Sequence, residues 1–287
     1  MSGLGSIAKE SVPPSGLEPY LNGTKLYGDD FLGEALEGWF ADEREGYASI
    51  DARGGGHGEK YLSHTKNIRY GFRYLPDIAF PRVLGFGAAD AREIEPVLDR
   101  VQTVTVVEPG LAFRTSSFKG VPLEYVVPNP DGTLPLASDE FDLATCFGVL
   151  HHLARVSQSV KELHRCIRPG GYLLLDEPTN SMGGWWNDRP WATKRERGIP
   201  LEFIRRLISS TGFQVLRERR VYFASLPLLS RLMHFPLQTL EPYLIVDEIA
   251  CSLFSWNARY HPRSLVEWLM PTNVFYVLRK PSSIGSQ

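Results

Sequence analysis

The chain has 287 residues, 43% hydrophobic and 22% charged, with a net charge of −2 and a pI near 6.4. It is long enough to bury a full core, and its charge balance argues against a surface built to hold nucleic acid. Charges and prolines interrupt every apolar run before it reaches the length of a membrane span. Cys146, Cys166 and Cys251 lack C-x-x-C spacing and read as buried thiols in a reducing compartment, forming neither a disulfide framework nor a zinc site. No metal site is predicted. Met1–Glu10 has no apolar core of the signal-peptide kind, so a cytoplasmic protein is expected.

Residues 1–19 are rich in Gly, Ser and Pro and are expected to be loosely ordered. After Asp29-Asp30, Phe31, Ala35 and Trp39, with Leu32, Leu36 and Phe40, recur at a spacing of four and predict a helix. Its other face carries Glu34, Glu37, Asp42, Glu43 and Glu45, which reads as a solvated acidic face. The Arg53–Gly58 stretch is glycine-rich but follows no strand and lacks Gly-Lys-Ser/Thr, so it reads as a hinge. A helix is expected from Glu59 to Phe72.

The organising stretch is Arg82–Glu93. It reads as a buried strand (Val83, Leu84, Phe86), a tight glycine turn, and a helix beginning at Ala91 under an Asp90 cap. The small residues Gly85, Gly87, Ala88, Ala89 and Ala91 let backbone pass close to a ligand. The next strand, Gln102–Val107, ends in Glu108, 21 residues after Gly87. At that spacing a carboxylate meets a ribose diol in nucleotide-binding βαβ units.

Further on, strands are predicted at Leu123–Val127, Phe141–Phe147, Tyr172–Leu175, from Phe213, and at Asn273–Leu278. Helical stripes fall at Val156, Val160, Leu163 and Ile167, stopped by Pro169-Gly170-Gly171, and at Ile204, Leu207 and Ile208, ending at Gly212. This alternation argues for a mostly parallel sheet covered on both faces. Right-handed crossovers then bring Gly85–Asp90, Glu108, Asn129–Asp131, Phe147–His152 and Glu177 to one crevice at the strand ends. Two cofactor classes fit such a crevice: a dinucleotide, or S-adenosylmethionine.

A third motif separates them. Leu134-Pro135-Leu136, Phe141-Asp142 at a strand start, Leu150-His151-His152, and Arg165 followed by Pro169-Gly170-Gly171 closely resemble class I S-adenosylmethionine-dependent methyltransferases of the type 11-like kind. The resemblance covers roughly residues 80–180. It implies a Rossmann-like, seven-stranded, mostly parallel sheet with helices on both faces. Around that core the residues themselves predict a flexible N-terminus (1–19), a helical N-terminal cap (20–80), the cofactor-binding core (81–221), a helical insertion (222–271) and a last strand with tail (272–287). The cofactor that the resemblance implies is S-adenosyl-L-methionine. Gly87, with Ala89 and Ala91, matches the glycine motif, with Gly85 and Phe86 as further cofactor-binding positions. Glu108 matches the ribose acid, Asp131 or less readily Asn129 the adenine contact, and Phe147 with Gly148 the strand end lining the cofactor. Gly85 stands where the family usually has an acid, and Ala89 and Ala91 where it often has glycine.

A methyl sulfonium is already activated, so the enzyme's task is to hold a nucleophile in line with it and exclude water. His151, His152 and Glu177 are the candidate catalytic groups, as base or hydroxyl-orienting side chains. The loop from Asn180 to Pro200 combines Trp185, Trp186 and Trp191 with Arg189, Lys194, Arg195 and Arg197. Trp185, Trp186, Arg189, Arg195 and Arg197 are its candidate substrate contacts, suited to a sugar ring and an anionic group. Its general character suggests methyltransferases of sugar or polysaccharide biosynthesis. The expected reaction is O-methylation of a small molecule such as a sugar or glycan precursor. N- or C-methylation and a catalytically silent cofactor-binding scaffold are the alternatives. Residues 222–271 are too long and apolar for a plain loop and read as a lid, a homodimer surface, or both.

Overall fold

The computed structural model describes residues 13–52, 61–110, 113–187, 189, 192–224 and 226–282. The predicted strands appear as β1 (Arg82–Phe86), β2 (Thr103–Val107), β4 (Val121–Val126), β5 (Phe141–Phe147), β6 (Ile167–Pro178), β7 (Gln214–Phe223) and β8 (Pro271–Arg279), joined by a two-residue β3 (Ser117–Phe118). They form one sheet in the order β3-β4-β2-β1-β5-β6-β8-β7. Pairing is parallel from β4 through β2, β1 and β5 to β6, while β8 runs antiparallel to both β6 and β7. The sheet therefore has eight strands where seven were expected. The extra one pairs antiparallel with β4 across Lys119-Gly120, whose φ values of 48° and 88° are those a two-residue hairpin turn requires. Two residues are too few to leave a periodic signal.

Helices cover both faces. On one, α4 (Val156–Cys166) and α5 (Leu201–Thr211) lay their predicted apolar stripes onto Leu84, Leu173 and Leu175. Gly212, at φ 87°, ends α5 in the left-handed conformation. On the other face, α3 (His64–Tyr70), a 3-10 run at Arg92–Arg100 and α7 (Glu241–Leu253) pack Tyr70, Ile94, Val97 and Leu244 onto Val83, Val104 and Leu174. Truncating the buried leucines or Ile94 to Ala costs about 2–5 kcal/mol each.

The 3-10 run corrects the α-helix predicted from Ala91. Ala91 itself is left-handed at φ 63°, and Pro96 cannot donate the hydrogen bond an α-helix needs there. Asp90 makes no cap and pairs instead with Arg92 at 2.7 Å.

Two further segments frame the core. The N-terminal cap holds a short α1 (Glu18–Leu21) and the predicted long helix, α2 (Glu34–Ala52), whose Leu36 and Trp39 pack on Ala154. Within the insertion, α6 (Leu226–Leu232) precedes α7, and the buried Asp247 of α7 accepts the N–H groups of Tyr222 and Phe223 at 2.9 and 2.7 Å. The insertion is thereby clipped to the end of β7. The Gly54–Gly58 hinge lies outside the described residues. No helix among the described residues is long and apolar enough to cross a membrane.

Candidate active site

The glycine turn after β1 is shaped by close approach. Gly87 sits at φ 70°, and a Cβ there would fall 2.6 Å from Val149. Any side chain would fill the space between this turn and the one after β5. Glu108, 6% exposed at the end of β2, accepts the Gly110 N–H at 2.9 Å and is also held by the backbone of Ala89. Burial raises its pKa against those two hydrogen bonds. Phe86, Gly87, Ala89, Glu108, Asn129 and Gly148 line a cavity of about 300 Å³, within the range of small-molecule sites. A backbone cradle that excludes any Cβ, beside a carboxylate, fits the methionine and ribose parts of an adenosyl cofactor.

Not every candidate reaches that cavity. Gly85 lies beneath it, where a Cβ would meet the Ala88 Cβ at 2.6 Å. Phe147 turns to the opposite face of the sheet, its ring 5.5 Å from that of Phe275. Asp131, preferred for the adenine contact, is instead an acceptor for Thr133, taking its N–H at 2.9 Å and its hydroxyl at 2.6 Å. Asn129 lines the wall in its place. The difference follows from the turn, since an Asp two residues before Thr133 closes an Asx turn on its own backbone.

The roof is α2. Leu36, Trp39, Phe40 and Glu43 fall at i, i+3, i+4 and i+7 and face the cavity together. Trp39 donates its indole N–H to the His152 carbonyl at 2.7 Å, with the Arg197 guanidinium 4.8 Å from its ring. The solvated reading of the acidic face fails at two positions. Asp42 pairs with Lys194 and Arg195 at 3.0 and 2.7 Å. Glu43, 6% exposed, binds the Thr193 hydroxyl at 2.7 Å, the Arg195 N–H at 3.0 Å and His152 Nδ1 at 3.0 Å.

His152 lines the cavity, whereas His151 and Glu177 do not. Glu177, fully buried on β6, accepts the N–H groups of Val149 and Leu150 at 2.8 and 2.7 Å and binds His151 Nδ1 at 2.8 Å. It fixes the turn carrying both histidines, which places it behind the site. His151 Nε2 lies 3.6 Å from Glu196. Burial alone would lower the His151 pKa, but Glu177 and Glu196 hold it up at about 9. Burial and the neighbouring His151 charge lower that of His152, with Glu43 opposing. Glu196 is desolvated yet held down at about 2 by the two imidazoles.

The tryptophan loop forms a second cavity of about 610 Å³, with Tyr27, Trp185, Trp186, Arg189 and Arg195 in its wall. Tyr27 stands between the two cavities, 6.0 Å from Trp39 and 5.9 Å from Trp185. Arg197 joins neither wall. It is fully buried and donates to the carbonyls of Tyr27, His151 and Leu153 at 2.8–2.9 Å. Trp191 lies outside the described residues. Glu43, Glu196 and Trp39 were not foreseen as site residues, although a carboxylate placed on the apolar stripe of α2 was a readable signal.

The sheet, with β8 antiparallel between β6 and β7, together with the glycine turn and the acid at the end of β2, has the Rossmann-like methyltransferase fold. Residues 84–175 belong to the methyltransferase domain family by match to its profile, and S-adenosylmethionine is the cofactor. Comparison with curated proteins finds no match. Among solved structures, the (4+2)-cyclase SpnF is 15% identical with a TM-score of 0.52, covering 90% of this chain and all of that one. A chain from the complex of the Haloferax volcanii Trm112 methyltransferase activator is 14% identical with a TM-score of 0.52, covering 88% and 100%. A Bacillus halodurans chain described as a methyltransferase is 12% identical with a TM-score of 0.50, covering 77% and 99%. At these identities the likeness shows the fold alone.

Proposed function

We propose that this methyltransferase acts on a hydroxyl group of a small molecule, such as a sugar or glycan precursor. The observation that carries the reading is the His152–Glu43 contact, 3.0 Å long, in the wall of the roofed cavity. A buried carboxylate on Nδ1 fixes the ring and makes Nε2 the hydrogen-bond acceptor, the group that orients a hydroxyl. The cofactor supplies a methyl group already activated on sulfonium. The chain's own work is then positioning and exclusion of water: Gly87 and Glu108 seat the donor side, α2 closes over it, and His152 holds the acceptor oxygen.

The aromatic wall of the second cavity supports a ring-shaped acceptor. Trp185 and Trp186 sit 5.2 Å apart at 75°, and Arg189, Lys194 and Arg195 border them. Indole faces suit sugar C–H surfaces, while Lys194 and Arg195 already pair with Asp42 and Arg189 donates to the Met182 and Thr193 carbonyls, so the aromatic wall carries this support.

The test is methyl transfer from labelled S-adenosylmethionine to matched panels of glycosides, amines and carbon nucleophiles, with the methylated atom located by NMR. Methyl ethers are the expected products. Turnover confined to nitrogen or carbon acceptors would overturn the hydroxyl reading. Binding of S-adenosylhomocysteine with no turnover on any panel would favour a silent scaffold.

A further inference from the structure

We infer that His151, His152 and Glu196 form a binding site for a single divalent transition-metal ion beside the acceptor end of the cavity. One nitrogen from each imidazole and one oxygen of Glu196 lie within 4.8 Å of one another. Two imidazoles and a carboxylate are a common ligand set for zinc, iron, cobalt or manganese, and they disfavour magnesium, which prefers oxygen. His151 Nε2 and Glu196 Oε1 are 3.6 Å apart, longer than a hydrogen bond. Ligand bonds of about 2.1 Å place neighbouring ligands roughly 3.0–3.4 Å apart, so this pair needs little movement and the cluster as a whole must close by up to about 1.5 Å to hold the ion.

The surroundings make the same point. Each histidine carries a buried carboxylate on Nδ1, Glu177 at 2.8 Å from His151 and Glu43 at 3.0 Å from His152. Carboxylate–histidine pairs of this kind orient metal ligands and raise their basicity, and both direct Nε2 as the coordinating nitrogen. The imidazole centroids are 4.1 Å apart, side by side on one short turn. Glu196 is fixed in turn by the Thr193 N–H at 2.9 Å. Because His152 also lines the cavity, a three-ligand site here leaves open positions toward the acceptor. An ion so placed would take the Nε2 lone pair of His152, so the ion would replace that imidazole as the group holding the acceptor oxygen and would lower the pKa of its hydroxyl. Once that proton is lost to solvent, the oxygen would form its bond to the methyl carbon as the S–CH3 bond breaks and S-adenosylhomocysteine leaves. That use of the site rests on the hydroxyl reading above, whereas the ion site itself does not.

The full chain, stripped of metal with a chelator and dialysed, is titrated with Co²⁺, then with Zn²⁺ and Mg²⁺. One Co²⁺ per chain is expected, with a visible ligand-field band that Zn²⁺ abolishes and Mg²⁺ leaves unchanged. Glu196→Gln and His152→Gln are each expected to weaken binding by about tenfold or more. X-ray absorption at the zinc edge of the parent chain should count two imidazoles around the ion. That readout needs no variant and therefore survives a variant that fails to fold. No saturable binding, a shell with fewer than two imidazoles, or binding indifferent to both substitutions in folded variants would overturn the site. Methyl transfer is assayed separately. Turnover on hydroxyls without metal binding removes the ion and leaves the hydroxyl reading standing, and metal binding without turnover on hydroxyls does the reverse.

Discussion

His152 Nδ1 and the Glu43 carboxylate meet at 3.0 Å although 109 residues separate them in the chain. The contact joins the N-terminal cap to the turn after β5, and with Thr193 and Arg195 it draws in the tryptophan loop. One buried carboxylate thus holds together three segments that enclose the reaction space. The roof is α2, and none of the described residues of the 222–271 insertion line either cavity.

Glu43→Ala removes the acceptor from the Thr193 hydroxyl, the Arg195 N–H and His152. Leaving a buried donor unpaired costs about 1–3 kcal/mol. The melting temperature is expected to fall by about 2–4 °C for each kcal/mol lost. Turnover should fall further than stability accounts for, because His152 loses its orientation. Steady-state kinetics at a temperature where the variant remains folded separates the two effects.

Arg197→Met is expected to be among the most damaging single changes. Its guanidinium, whose pKa burial lowers to about 10, serves four backbone carbonyls from two segments and lies beneath Trp39. The expected loss is about 3–5 kcal/mol in a urea melt, in the range for breaking a buried charged network. Lysine should recover only part of it, since one ammonium cannot reproduce the planar fork.

Ala89 and Ala91 both hold left-handed backbone, at φ 48° and 63°, a conformation that costs an L-residue about 1–2 kcal/mol. Ala89→Gly relieves this at a position lining the cavity. Glycine's greater unfolded entropy of about 0.5–1 kcal/mol offsets part, leaving a small net stabilisation. Ala91, 1% exposed, also buries its methyl in the core, so Ala91→Gly should be neutral or worse. Chemical denaturation of the two variants side by side checks the contrast.

Glu93 supplies a pH dependence. Burial raises its pKa from 4.5 to about 7, against the Thr145 hydrogen bond and the Lys66 charge, with Asp90 adding to the rise. Because the folded value is raised, the stabilisation is fully present below pH 4.5 and is lost as the pH climbs through about 7. Glu93→Gln should abolish that portion of the slope and melt higher than the parent at pH 8. Parallel curves for the two proteins across the range would show that Glu93 does not titrate as described.

Much of the fold was legible in the sequence because it rests on local rules. The runs at Val83–Phe86 and Phe141–Phe147 are almost wholly buried, and apolar apart from Asp142 and Thr145, because parallel strands are covered on both faces. The stripe through Val156, Val160 and Leu163 has helical period, and Gly212 takes the one conformation that ends its helix cleanly. Gly87, Glu108 and Gly148 line one cavity because each is tied to a strand end, and strand ends share one edge of the sheet.

The rest depended on contacts that no sequence spacing encodes. Glu43 looked solvated because its partners, Thr193, Arg195 and His152, lie far along the chain. Arg197 looked like a substrate contact because a loop arginine and a buried strut have the same composition. Glu177 looked catalytic because it follows a strand, yet burial turned it onto the backbone of Val149 and Leu150. The sequence by itself determined most of the strands and their mostly parallel run, the glycine turn and the acid at the end of β2, since these follow from local period and strand-end position. Only the tertiary structure decided which charged side chains were stripped of water, and so which carboxylates back the histidines and which guanidinium braces the roof.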